Sequence, residues 1–273
     1  MKRINIPLHE LQRLYCEENK SQEEIAKIFG VSQWIISKRM RDNHIERKSK
    51  TRNLSSRKYQ VNESALDILT PEVAWVLGWF LADGFVDSKN DTFGIRLSVK
   101  DVDLLCKIKS LLEYTGPIID TSTVLKKTGK LYKGKLLKIT SSVLKRKLIV
   151  YGIKPKKTSK ETYLSAINSE ILDKHFIKGV FEGDGSLLYY PDSKRYKFQI
   201  VGTLELLSEI QRRLVSYLKV SLTKLHCQSA RSNHYMMQYS GRKQVLKIAS
   251  WLYDESKLHL DRKYNVYKEM GNE

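Results

Sequence analysis

The sequence predicts an α+β chain: two pseudo-twofold-related αββαββα units, preceded by a small all-α helix-turn-helix domain. Three observations predict it. Residues 8–45 carry apolar side chains at three-and-four spacing, the signature of short amphipathic helices. From residue 70 onward one pattern of helix and alternating strand is written twice, at an offset of about one hundred residues. Between the two, residues 46–60 hold six Lys/Arg, one Glu46 and almost nothing apolar. The expected domains are 1–46, a helix-turn-helix domain; 47–69, a basic linker; and two repeated units, 70–165 and 166–273.

In order, Leu8, Leu11, Leu14 and Tyr15 form one apolar face. Ser21 with Glu24 is a capping box for a second helix, with Ile25, Ile28 and Phe29 as its inner face. Gly30 and Val31 make a turn, and Ser32 is placed to cap a third helix. There Ile35, Ile36 and Met40 are expected inside, and Gln33, Trp34, Ser37, Lys38 and Arg41 outside. Helix, glycine-containing turn, helix is the arrangement that sends its second helix into a DNA major groove, so these five are candidate DNA-binding residues.

In the repeated part, Phe93, Ile95 and Leu97 alternate with polar neighbours, as do Tyr196, Phe198 and Ile200. Both runs predict strands with one buried face. Helical patterns follow at Leu104, Leu105, Ile108, Leu111 and Leu112, and again at Leu206, Leu207, Ile210 and Leu214. Hairpins turning near Thr128–Gly129 and Ser232–Asn233, and closing helices at 141–152 and 241–253, complete each unit.

Composition narrows the function. Lys+Arg number 49 against 30 Asp+Glu, a net charge of +19, and the pI is near 9.7. A polyanion, above all nucleic acid, is the expected partner. Three scattered cysteines, Cys16, Cys106 and Cys227, do not make a disulfide scaffold. No apolar run behind the N-terminal charges suggests a secretory signal, and Val73–Ala82 is about half a membrane span. A cytoplasmic, nucleoid-associated monomer is expected.

The repeat is sharpest in one nonamer: VLGWFLADG at 76–84 and IKGVFEGDG at 177–185. Read as helices, each places small residues four apart, Gly78 and Ala82, then Gly179 and Gly183, which lets two backbones approach closely. Each ends in Asp-Gly, at Asp83–Gly84 and Asp184–Gly185, with glycine expected in the left-handed cap conformation. A carboxylate at a helix C-terminus opposes the dipole, and two such carboxylates brought together repel. The pair makes sense around a divalent cation, and oxygen-only ligands select hard ions, Mg²⁺ first.

These nonamers resemble the motif of the LAGLIDADG homing endonucleases, in their monomeric, two-motif form, over about residues 70–270. The resemblance implies motif helices packed at the interface of the halves and saddle-shaped antiparallel sheets lying in the DNA major groove. It implies metal bound by Asp83 and Asp184 with the carbonyls of Ala82 and Gly183. It implies a lysine near each metal to offset charge on the scissile phosphate. Lys157 and Lys263 match best, so Asp83, Asp184, Lys157 and Lys263 are the candidate catalytic set, with Lys156 and Lys160 as competitors for the first lysine. One departure is Leu81, where the family often has an acid; the second copy keeps Glu182. Lys178 is expected outside the helix seam.

The activity implied is double-strand cleavage of a long asymmetric DNA site by metal-dependent phosphodiester hydrolysis across the minor groove, leaving 3′ overhangs. Mg²⁺ is the expected cofactor, Mn²⁺ a substitute, and Ca²⁺ an ion that binds without turnover. Base reading is expected from strand faces: Arg96, Ser98 and Lys100; Lys133 and Lys135; Lys197 and Gln199. Alternatives are a non-catalytic transcription regulator on the same scaffold, which would tend to have lost the acids, and an intron RNA maturase. Other patterns are weaker. Gly129–Leu136 lacks the Ser/Thr and the helix of a phosphate loop. His226, Cys227 and His234 lack zinc-ligand pairing. Trp75, Trp79 and Phe80 are expected in the core, and Asp101 and Asp103 as helix caps.

Overall fold

The structure, a computed structural model, describes residues 6–18, 20–45, 58–124 and 129–271. The chain divides into two compact units at Arg57/Lys58.

The smaller unit has helices α1 (Leu8–Gln12), continued by a π-turn to Glu17, α2 (Gln22–Phe29) and α3 (Gln33–Asp42). The capping box forms: Ser21 Oγ accepts from Glu24 N and Glu24 Oε2 accepts from Ser21 N. Gly30 sits at φ +63°, the left-handed turn between α2 and α3. Ile6, Leu11, Leu14, Tyr15, Ile25, Ala26, Ile36 and Met40 make a separate small core. Three expected core residues do not join it: Leu8, Ile28 and Ile35 are exposed, because only two residues per short helix can face so small a centre. Ser32 makes no capping bond.

The larger unit runs α4 (Pro71–Ala82), β1 (Gly84–Val86), β2 (Thr92–Ser98), α5 (Val102–Leu111), β3 (Ile118–Val124), β4 (Leu131–Thr140) and α6 (Ser142–Tyr151). The second repeat follows as α7 (Glu170–Asp184), β5 (Gly185–Tyr190), β6 (Arg195–Gly202), α8 (Leu204–Leu218), β7 (His226–Ser229), β8 (His234–Ser240) and α9 (Arg242–Tyr253). A tail helix, α10 (Asp261–Gly271), has no counterpart in the first repeat. Each repeat holds a four-stranded antiparallel sheet, ordered β1-β2-β4-β3 and β5-β6-β8-β7. Phe93, Ile95, Tyr196, Phe198 and Ile200 are buried as their alternation requires.

The expected linker 47–69 ends early. Residues 46–57 lie outside the described residues, and from Val61 and Leu66 onward the chain is buried in the main core. The expected turn at Thr128–Gly129 is described only at Gly129, whose φ is +66°. Among the described residues no helix is long and apolar enough to cross a membrane.

Helices α4 and α7 cross at the centre. Every residue from Val73 to Leu81 is buried, which suits a helix apolar all round. Backbone touches backbone at the crossing. A Cβ on Gly78 would stand 2.4 Å from Phe176 O, and one on Gly179 would stand 2.2 Å from Trp75 O. Only glycine fits either place.

Candidate active site

The crossing delivers Asp83 and Asp184 side by side at the C-terminal ends of α4 and α7. A Cβ on Gly183 would lie 3.3 Å from Asp83 Oδ2, so Asp83 reaches over to the backbone next to Asp184. The Asp-Gly glycines are needed for a different reason from the one expected. Neither Gly84 nor Gly185 has positive φ, and Gly185 is extended at φ −111°. Instead the following strand is folded tightly onto the helix: a Cβ on Gly84 would meet Phe80 O at 2.6 Å, and one on Gly185 would meet Phe181 O at 2.6 Å.

Two lysines close the helix ends. Lys157 Nζ donates to the carbonyls of Leu81 and Ala82, the latter at 2.8 Å. Lys263 Nζ donates to the carbonyls of Phe181 at 2.7 Å, Glu182 at 2.8 Å and Gly185. A cation at the negative end of a helix satisfies carbonyls that the helix leaves open. Lys156 and Lys160 are exposed, so of the three competitors Lys157 is the one turned inward. Lys263 sits in the first turn of α10 rather than in a loop.

The electrostatics are those of crowded charge. Burial raises the Asp184 carboxyl to about 7, with the Asp83 charge adding to it. Asp83 keeps a solvent-facing edge, yet the protein around its carboxyl raises it too, against the pull of Lys157 and Lys263. Burial lowers Lys263 to about 7, helped by Arg262, and lowers Lys157 against the attraction of Glu161, Asp184 and Asp83. Two carboxylates that resist ionisation together form a donor set that a hard cation would relieve. Among the described residues no third His, Cys, Asp or Glu completes an all-protein cage. A hard divalent cation held there would take water and phosphate oxygens for the rest of its shell. The set of Asp83, Asp184 and the carbonyls of Ala82 and Gly183 therefore fits, with Ala82 O also accepting from Lys157.

Two grooves flank the pair. One is lined by Asp83, Arg96, Ser98, Asp101, Tyr132 and Lys133, the other by Ala82, Lys157, Glu161, Asp184, Gly202 and Asn233 among others. On the open sheet faces, Arg96 and Ser98 project together, with Arg96 Nε donating to Thr121 Oγ1 at 3.0 Å. Lys100 follows, exposed, in a 3-10 turn. Lys135 does not share that face: it pairs with Leu97 in the ladder, on the core side, and is bound to Asp120 at 2.7 Å. Lys133, exposed, lines the first groove with Arg96 and Ser98. Lys138, exposed opposite Gly94, holds the place expected of Lys135.

In the second sheet Lys197 and Gln199 do lie together on the open face. Gln199 sits in a polar ladder, accepting from Ser186 Oγ at 3.1 Å and donating to Gln238 Oε1 at 2.6 Å. Arg195 joins them, stacked over Tyr190 at 5.4 Å. Sequence reading missed Ser186, Gln238 and Arg195, although the period-two phase of the strands contains them. In the small unit Gln33, Trp34, Lys38 and Arg41 are exposed and Ser37 half-buried; Lys38 lies over Trp34, whose exposure is 65%.

Asp101 caps nothing; it is buried and binds Arg262. Lys178 is outside the seam but fully buried, bound to Ser256 Oγ. Trp75 and Trp79 are core, and both indoles donate to Glu182 Oε2, at 2.7 and 3.2 Å. His226 and Cys227 lie on exposed strand β7, and Gly129–Leu136 leads into β4.

Residues 70–174 match the family model of the LAGLIDADG-like domain. No curated protein matches the chain. Among solved structures, the LAGLIDADG homing endonuclease I-GzeII in complex with its DNA target is similar at 14% identity and TM-score 0.49, over 74% of this chain and 89% of that one. The I-LtrWI LAGLIDADG homing endonuclease bound to target DNA is similar at 13% identity and TM-score 0.46, over 77% and 90%. Full-length DUF199/WhiA from Thermatoga maritima is similar at 16% identity and TM-score 0.46, over 76% of this chain and 64% of that one.

Proposed function

The chain belongs to the LAGLIDADG family through residues 70–174, and on that premise we propose that it is a site-specific, divalent-metal-dependent DNA endonuclease. The observation that carries this is the doubled arrangement of an aspartate at a motif-helix end with an inward-turned lysine bound to the carbonyls beside it. A scaffold kept only for binding has no use for two crowded carboxylates, both with raised proton affinity, one of them raised in part by the other's charge.

Asp83 and Asp184, with the carbonyls of Ala82 and Gly183, would hold Mg²⁺. When bound, the ion supplies Lewis-acid polarisation of the scissile phosphate and of a water. Lys157 and Lys263 hold positive charge over the helix ends, where the phosphate would gain negative charge. The open faces of both sheets offer Arg96, Ser98, Lys138, Lys197, Gln199 and Gln238 to base edges. Helix α3 offers Gln33, Trp34, Ser37, Lys38 and Arg41 to a second stretch of the same duplex. The net charge of +19 favours binding to DNA phosphates throughout. Cuts on the two strands would be staggered across the minor groove, leaving 3′ overhangs.

The test is selection of bound sequences from random duplex DNA in Ca²⁺, followed by exchange into Mg²⁺. Double-strand breaks in the selected duplex, lost in Asp83→Asn and Asp184→Asn proteins that still bind, support the reading. A selected duplex that stays intact in Mg²⁺ and Mn²⁺ overturns it and leaves a regulator.

A further inference from the structure

Arg262 and Lys263 are neighbours in the first turn of α10, and they point to different halves of the molecule. Lys263 is buried at 4% exposure against the end of α7. Arg262 reaches into the first repeat, where Nε donates to Asp101 Oδ1 at 2.8 Å and Nη2 to Oδ2 at 3.4 Å. Asp101 stands just after β2 and is itself buried at 9% exposure. A second bond joins the same parts: Lys107 Nζ donates to His259 O at 2.8 Å and Asp261 Oδ1 at 2.6 Å. The turn between is stiff, since Lys263 N and Tyr264 N both donate to Leu260 O at 3.0 Å, and Leu260 N donates to Glu182 at 2.9 Å. Any shift of Arg262 therefore moves Lys263.

We propose that Asp101 is a positioning residue: through Arg262 the first repeat clasps the start of α10 and sets Lys263 against the second motif helix. The inference rests on the nuclease reading only for the consequence in cleavage. Lys157 reaches its carbonyls by another route, from a turn whose Lys156 and Ser159 stand at φ +55° and +64°. The two lysines thus depend on different supports, and loosening the clasp unbalances the two strands.

The test has two arms. Arg262→Ala is the main variant, because the Arg262 side chain is 54% exposed and lies outside the buried core. Asp101→Asn probes the partner, and Arg262→Lys is the conservative control. In the first arm, metal-free folded protein is treated with an amine-acetylating reagent, and Lys263 labelling is measured against Lys157 by mass spectrometry. The clasp predicts that the ratio rises at least about fivefold in Arg262→Ala and Asp101→Asn, and by less in Arg262→Lys. An unchanged ratio overturns the proposal.

In the second arm, each strand of a selected duplex is labelled separately and single-turnover cleavage is followed in Mg²⁺. The clasp variants should slow by about tenfold the strand that Lys263→Met slows most, and leave the other within about twofold. Equal slowing of both strands, or the pattern of Lys157→Met, overturns it. If the wild-type protein cuts neither strand, the nuclease reading falls, and the labelling ratio alone decides the clasp.

Discussion

Helices α4 and α7 are copies of one pattern with different outer stripes. Where α4 has Val73, Leu77 and Leu81, all buried in the core, α7 has Lys174, Lys178 and Glu182 at the same four-residue spacing. Those three side chains hold the segment before α10. Lys174 Nζ donates to Asp254 O at 3.0 Å, Lys178 Nζ to Ser256 Oγ, and Glu182 Oε1 accepts from Leu260 N at 2.9 Å. The comparison separates two demands on a repeated helix. The inner residues, Gly78 and Gly179 with Asp83 and Asp184, shape the crossing and are the same in both. The second stripe differs, and in α7 it anchors a tail that brings Lys263 to the site, while its Glu182 also accepts from Trp75 and Trp79 of α4.

The largest effects should fall on what the two helices share. Asp83→Asn and Asp184→Asn should each lower single-turnover cleavage by about 10²–10³-fold while Ca²⁺-supported DNA binding persists. Gly179→Ala places a methyl 2.2 Å from Trp75 O and should cost about 3 kcal/mol in urea unfolding, or more. A cost below about 1 kcal/mol would show that the seam has room to spread.

Next come substitutions that make the stripes alike. Glu182→Leu gives α7 the residue of α4 but leaves the indole N–H groups of Trp75 and Trp79 and the Leu260 amide buried without their acceptor. It should destabilise by about 2–4 kcal/mol. The reverse change, Leu81→Glu, buries a carboxylate in apolar surroundings and should be at least as costly. If Glu182→Leu were neutral, the tail would not be anchored through this carboxylate.

The smallest effect is one of pH. His175 stands where α4 has Ala74, and burial, with Lys178 and Lys174 nearby, lowers its pKa from 6.5 to about 4. Between those values the unfolded chain binds the proton and the folded chain does not. This contribution to stability is present above pH 6.5 and lost as pH falls towards 4. His175→Ala should flatten the fall in melting temperature over that window, and an unaltered slope would assign it to other groups.

Much of this was legible in the sequence. The period-two and three-and-four patterns placed the strands and helices, and the doubled nonamer placed Asp83 and Asp184, because each depends on residues near in the chain. What stayed hidden depends on partners far apart. The anchoring of Lys178 needs Ser256, the pairing of Asp101 needs Arg262, and the role of Glu182 needs two tryptophans over one hundred positions away. Helix α10 was missed because its buried faces, Lys263 and Met270, do not form an apolar period. Charge alone does not place Lys135 on the open face, because its ladder phase opposite Leu97 puts it on the other.

We propose that Asp83 and Asp184 together make one DNA-cutting centre. Mapping both cut ends of a selected duplex, after incubation in Mg²⁺ with wild-type, Asp83→Asn or Asp184→Asn protein, tests it most directly. The expected result is staggered cuts with 3′ overhangs by the wild type and loss of double-strand cleavage in either variant. A duplex that remains whole with bound wild-type protein, or one cut equally well by both variants, would contradict it.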